Sequence, residues 1–221
     1  MMNLMNKTVL LFDLDGTLTD PAIGITNGVM RAKEHFHLPE EPREALYRFI
    51  GPPLVDGFMD FYGFTKPQAE EAVRVYRSYY GTVGLFENTV YPGIPQLLSD
   101  LRAAGKKLAV ATSKPEAFSR RILERFELAP YFHHICGASF DESRAQKAQV
   151  IAYALEQCGV EDRSAVVMIG DRKHDILGAK QNGLDSVGVL YGYGNREELS
   201  AAGADNIAES VCHLHEILLG S

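Results

Sequence analysis

The chain has 221 residues, of which 46% are hydrophobic and 23% charged, so it can bury one full core, still spare residues for a second small unit, and is not disordered. A formal charge of -7 works against a surface that gathers a nucleic acid polymer or an anionic membrane, because either needs a basic field. An anionic substrate must then be held by local charges. Cys136, Cys158 and Cys212 are odd in number, widely spaced and without a CxxC pattern, which predicts buried, reduced thiols and neither a disulfide framework nor a zinc site.

In chain order, residues 8–12 form a short apolar run ending at Asp13, the pattern of a strand buried on both faces. The run is too short for an export signal or a membrane span, so a cytoplasmic location is expected. Residues 20–87 carry only helix signals. Asp20-Pro21 reads as an N-cap followed by proline at the first helical position, with Ala22, Ile25, Val29, Ala32 and Phe36 on one face. Thr65-Lys66-Pro67 opens a second pattern with Ala69, Ala72, Val73, Tyr76 and Tyr80 on one side, and Tyr91-Pro92-Gly93 closes the insert. Strand runs then return at 107–111, 134–138, 165–169 and 186–190. Between them lie helices that stop at Gly105 and Gly159. The alternation predicts an α/β fold, a Rossmann-like, doubly wound parallel sheet at 1–19 and 88–221; the insert at 20–87 leaves and rejoins the core beside Asp13, so it reads as an all-helical cap domain over the ligand-binding edge of the sheet in preference to a structural spacer packed elsewhere.

Four places carry chemistry. In Asp13-Leu14-Asp15-Gly16-Thr17, two carboxylates at i and i+2 face one side, and Gly16 permits a sharp turn that lets backbone amides face a ligand. Close carboxylates with room for a phosphate suit Mg2+, which also neutralises the charge between an aspartate and a phosphate dianion. Thr112-Ser113 follows the 107–111 run and can hold phosphate oxygens. Lys147, at a helix start, can pair with a nucleophile and a phosphoryl group. Gly170-Asp171 follows the 165–169 run; Asp171 can complete the metal shell, and Asp175 can orient Asp171 or Lys147. Each feature alone is commonplace, whereas together they supply nucleophile, acid/base, phosphate clamp and metal site.

Residues 13–18, Thr112, Lys147 and Gly170-Asp171 through Asp175 resemble, in order and spacing, the four motifs of the haloacid dehalogenase superfamily, in its phosphoglycolate-phosphatase-like branch. The resemblance covers essentially the whole chain. It implies a phosphatase in which Asp13 is the nucleophile, Asp15 protonates the leaving oxygen and later activates water, and Thr112 and Lys147 hold the phosphoryl group. Mg2+ is implied on Asp13, the backbone carbonyl of Asp15, and Asp171, with Asp175 in support. The substrate expected is a small phosphomonoester such as phosphoglycolate or a nucleoside 5'-monophosphate, and the assembly a monomer or weak homodimer. Asp20-Pro21 and the Ser143-Arg144-Ala145-Gln146 context of Lys147 depart from the branch's usual Asp-Ser and Lys-Pro. The segment 48–53 resembles a cap loop that reaches over the active site, with Arg48 and Phe49 placed to read the leaving group; the opposing reading is a turn whose Phe49 packs in the cap.

A sugar-phosphate mutase of the same superfamily would use the same residues. A phosphonate hydrolase would need a cap lysine, Lys33 or Lys66, for a Schiff base, and a dehalogenase would leave Asp15 and the metal-binding acids without a purpose. A binding or regulatory module that had lost catalysis would lack one of the groups above, and none is missing.

Overall fold

The computed structural model describes residues 4–140 and 143–220. In chain order the strands and helices are β1 (Val9–Phe12), β2 (Thr19–Asp20), α1 (Ala22–His35), α2 (Leu54–Tyr62), α3 (Lys66–Tyr80), β3 (Thr89–Val90), α4 (Ile94–Ala103), β4 (Lys107–Pro115), α5 (Glu116–Arg125), β5 (His134–Ala138), α6 (Lys147–Gln157), β6 (Val166–Gly170), α7 (Lys173–Gln181), β7 (Asp185–Val189), α8 (Arg196–Ala202), β8 (Asn206–Ala208) and α9 (Val211–Leu219). The chain divides into two compact units, Met1–Asp20 with Val90–Ser221, and Pro21–Thr89.

The first unit holds a six-stranded sheet in the order β5-β4-β1-β6-β7-β8, parallel throughout, as the alternating pattern predicts. The five apolar runs supply five of these strands, because a strand covered by helices on both faces needs apolar side chains at every position. Alternate residues then serve opposite faces. Leu11, Ala109, Ala111, Val166 and Met168 pack with Val150, Ile151 and Ala154 of α6. On the other face, the ring of Phe12 meets that of Phe132 edge-on, with centroids 6.3 Å apart. β1 lies at the centre, with β4 on one side and β6 on the other. Chain connections diverge there, and the crevice outside its C-terminal end is where open α/β sheets bind ligands.

The second unit is helical. Gly28 lets the Tyr76 ring of α3 lie directly against α1, since a Cβ at that position would stand 2.6 Å from the ring. A capping box starts α3, with the Thr65 amide donating to Gln68 Oε1 at 3.0 Å. The N-cap expected at Asp20 is not formed: Pro21 occupies the cap position of α1 without a side-chain bond. Asp20 instead accepts a hydrogen bond from the Tyr193 hydroxyl. Cys136 and Cys158 are buried as expected, but Cys212 is exposed, because it falls on the outer side of α9. Among the described residues no helix is long and apolar enough to cross a membrane.

Candidate active site

The site grows from the end of β1. Asp13 follows Phe12 directly, and its amide donates to Ile169 O of β6 at 2.9 Å, which carries the parallel ladder one residue past the strand. The chain then turns through Gly16, whose φ of 81° and missing Cβ are both required. A Cβ there would stand 2.1 Å from Asp171 Oδ2. The acidic turn after β1 and the one after β6 are thereby pressed together. The expectation that the amides of this turn face a ligand is corrected for two of them. The amides of Gly16 and Thr17 do not face a ligand, because they donate to Thr19 O and Leu14 O within the turn. Thr17 is fully buried, and its carbonyl accepts from the Tyr191 hydroxyl at 3.1 Å.

Lys147, the first residue of α6, binds three groups. Its Nζ stands 2.7 Å from Asp13 Oδ1, 2.7 Å from Asp175 Oδ1, and donates to Ala111 O of β4 at 3.1 Å. Asp175 is fixed in turn because its Oδ2 accepts from the Arg172 amide at 3.0 Å. Asp171 is fully buried. Its Oδ2 accepts from the Tyr193 amide at 2.8 Å, and its Oδ1 accepts no hydrogen bond among the described residues. Asp13, Asp171 and Asp175 can each offer an oxygen within 4.8 Å of the others, a set that fits a hard divalent cation. The carboxylate of Asp15 lies apart from that set and meets Lys114 Nζ at 2.6 Å.

Lys114 is the residue that sequence reasoning missed. The expected strand ended at 111, with Thr112 beyond it, whereas β4 runs on to Pro115. Thr112 and Lys114 are therefore i and i+2 on one strand. Both are buried, while Ser113 between them is partly exposed. Thr112 Oγ1 accepts from the Lys114 amide at 3.3 Å. The signal was available: if Thr112 faces the site, a strand continuing two residues brings Lys114 to the same side.

Burial governs the electrostatics. It raises the Asp15 carboxyl above its ordinary value, with Lys114 opposing and Asp13 adding to the rise. It raises Asp171 well above the ordinary value, helped by the charges of Asp175 and Asp13. It takes Asp175 up to about 6 against the pull of Lys147. Burial works against the charge of Lys147, yet Asp13 and Asp175 more than offset it, and the ammonium is held charged. Fully ionised, the four carboxylates Asp13, Asp15, Asp171 and Asp175 face two ammonium groups, Lys114 and Lys147, so two negative charges are left over. That surplus is the charge of one divalent cation.

In the helical unit, Phe49 does not take the exposed, substrate-reading role expected of it. Its ring is 2% exposed and packs against Phe58, Phe61 and Tyr62. The Arg48 guanidinium is held by Glu41 at 2.9 Å and lies 4.8 Å from the Phe61 ring centroid. Lys33 pairs with Glu41 at 2.5 Å, and Lys66 is exposed near Glu70, so neither lysine stands in the apolar, unpaired setting that activates an amine.

A family model described as haloacid dehalogenase-like hydrolase matches residues 10–189. The chain is 43% identical over 209 residues to a 5'-nucleotidase of Pseudomonas aeruginosa, covering 95% of this chain and 94% of that protein. It is also 43% identical over 190 residues to the tyrosine-protein kinase PtkA of Mycobacterium tuberculosis, covering 86% of this chain and 64% of that protein. Among solved structures, a predicted phosphatase from Clostridium acetobutylicum superposes with a TM-score of 0.94 at 46% identity, covering 97% of this chain and 99% of that one.

Proposed function

The chain belongs to the haloacid dehalogenase-like hydrolases and is a phosphatase, and we propose that it hydrolyses a small phosphomonoester, with nucleoside 5'-monophosphates the first class to test, through a phosphoryl group carried on Asp13. The observation that carries this reading is the convergence of Asp13, Lys147, Asp175 and Asp171 at the C-terminal ends of β1 and β6. The nucleotide is put first because the 5'-nucleotidase relative matches over nearly the whole chain.

Asp13 attacks the phosphorus, and the bond to the ester oxygen breaks as that oxygen takes a proton from Asp15. Water then attacks the phosphorus of the aspartyl-phosphate while Asp15 takes its proton, inorganic phosphate leaves and the Asp13 carboxylate is restored. Phosphoryl transfer asks mainly for positioning and for charge on the equatorial oxygens. Lys147 answers both demands, since it fixes one oxygen of Asp13 and brings a permanent positive charge beside it. Asp15 has to be protonated in the first step and ionised in the second. A carboxyl raised by burial but still paired to Lys114 suits that exchange. Thr112, on the same side of β4 as Lys114, supplies a hydroxyl for a phosphoryl oxygen, whereas the side chain of Ser113, between them, belongs to the opposite side of the strand. Asp13, Asp171, the carbonyl of Asp15 and, in support, Asp175 would hold Mg2+, which when bound neutralises charge between Asp13 and the incoming phosphate.

The test is phosphate release from a panel of nucleoside 5'-monophosphates, phosphoglycolate, sugar phosphates and aryl phosphates, with Mg2+ and with chelator. Asp13→Asn is expected to abolish turnover in a folded protein, and substantial steady-state turnover by that variant would refute the covalent route. Isomerised sugar phosphate without phosphate release would instead identify a mutase using the same residues.

A further inference from the structure

The loop between β7 and α8 contributes no group to the chemistry above, yet it is built against it. A Cβ on Gly192 would stand 2.3 Å from Gly16 O and 2.5 Å from Asp171 Oδ2, and one on Gly194 would stand 1.9 Å from Asp171 O. Glycine is thus required on both sides of Tyr193, whose own amide donates to Asp171 Oδ2 at 2.8 Å. The Tyr193 side chain leaves in another direction and donates its hydroxyl hydrogen to Asp20 Oδ1. Two more tyrosines reinforce the same segment. Tyr191 donates to Thr17 O at 3.1 Å, and its ring meets that of Tyr91 edge-on at 5.1 Å. The Tyr91 amide donates to Leu18 O at 3.1 Å. Residues 17–20 are clasped at Thr17, Leu18 and Asp20 by side chains and backbone from residues 91 and 191–193.

We infer that Tyr193 is a positioning residue: its amide sets the orientation of Asp171, its hydroxyl is anchored by Asp20, and Mg2+ binding at Asp171 is thereby linked to the order of the 16–20 segment. The bond from the Tyr193 hydroxyl to Asp20 fixes the ring and with it the stretch of backbone, bracketed by Gly192 and Gly194, that carries the amide. Groups that orient a metal ligand affect metal affinity without touching the metal. Linkage is reciprocal, so a cation that fixes Asp171 must also steady what Tyr193 holds. The inference rests on the proposed Mg2+ role of Asp171, and the experiment separates the two.

Mg2+ binding is measured by titration calorimetry, and backbone order by hydrogen exchange at the Gly16 and Tyr91 amides, which bond to Thr19 O and Leu18 O. Tyr193→Phe keeps the amide and loses the anchor, so it should weaken Mg2+ binding about tenfold. In the wild type, Mg2+ should slow exchange at both amides; in Tyr193→Phe that slowing should be lost although the variant still melts cooperatively in chelator. Asp20→Asn keeps an acceptor oxygen and should behave as the wild type, whereas Asp20→Ala should match Tyr193→Phe, and the double variant should be no worse than either. Mg2+ affinity within about twofold of wild type in Tyr193→Phe, with the slowing intact, overturns this inference alone. A wild type that binds no Mg2+ overturns the metal reading and this inference together.

Discussion

Replacing Asp171 by asparagine should stabilise the metal-free protein while removing its response to Mg2+. Asp171 is fully buried and, among the described residues, takes one hydrogen bond, from the Tyr193 amide, which an asparagine carbonyl oxygen can keep. Its charge lies within 4.8 Å of ligand oxygens of Asp13 and Asp175, and each such repulsion is about 3 kcal/mol at an effective dielectric constant of about 20. Lys147 offsets the other two carboxylates but is placed on them, not on Asp171. The sign follows from linkage. A carboxyl whose folded pKa is raised favours the fold below its unfolded value and opposes it as pH climbs through the folded value. Asp175, taken from 3.8 to about 6, sets the scale: about two pH units, or about 3 kcal/mol lost by neutral pH. Asp171 is shifted in the same direction by burial and by two like charges. Relief of one such charge should therefore raise metal-free stability by about 1–3 kcal/mol, and the melting temperature by about 2–4 °C per kcal/mol for a chain of this size. In millimolar Mg2+ the wild type should gain about 3 kcal/mol if the cation is near a hundredfold over its Kd, and the variant much less. Calorimetric melting near neutral pH, in chelator and in Mg2+, reads all four states. An asparagine variant that melts below the wild type in chelator would show that the Asp171 charge is already compensated and would refute the argument.

Lys114→Met leaves Asp15 without its ammonium partner and should cost about 3 kcal/mol of stability along with turnover, read by denaturant unfolding and phosphate release. Arg48→Ala should lower the melting temperature modestly, through a half-exposed pair worth about 1 kcal/mol at most and lost ring contacts, and should reduce kcat/KM equally on a nucleotide and on an aryl phosphate. A loss confined to the nucleotide would return Arg48 to substrate reading. An aromatic disulfide reagent should label Cys212 alone in the native protein. Burial pushes the Cys136 thiol up to about 12 and also raises Cys158, so these two should react only on unfolding.

The parts of the fold that were legible share a physical cause. β1, β4, β5, β6 and β7 are covered on both faces, so each leaves an unbroken apolar run in the sequence, and the acids that follow β1 and β6 stand out by contrast. β2, β3 and β8 are two or three residues long, too short to establish a period, and they were not seen. The end of β4 failed for another reason. Its ladder with β5 shifts register between Thr112 and Pro115, so the polar run Thr112-Ser113-Lys114 looks like a loop although the chain stays extended. That one misplaced boundary hid Lys114. The tyrosines beside Asp171 illustrate a deeper limit. Asp20 and Tyr193 are far apart in sequence, and neither residue type carries a pattern that announces the other. An aspartate before Pro21 has a local reading as a helix cap, and only the folded loop with Gly192 and Gly194 pressed on Asp171 shows why its carboxylate is engaged elsewhere. The acids that follow β1 and β6 are therefore readable from spacing, whereas the contacts that orient them come from loops whose partners only the packing selects.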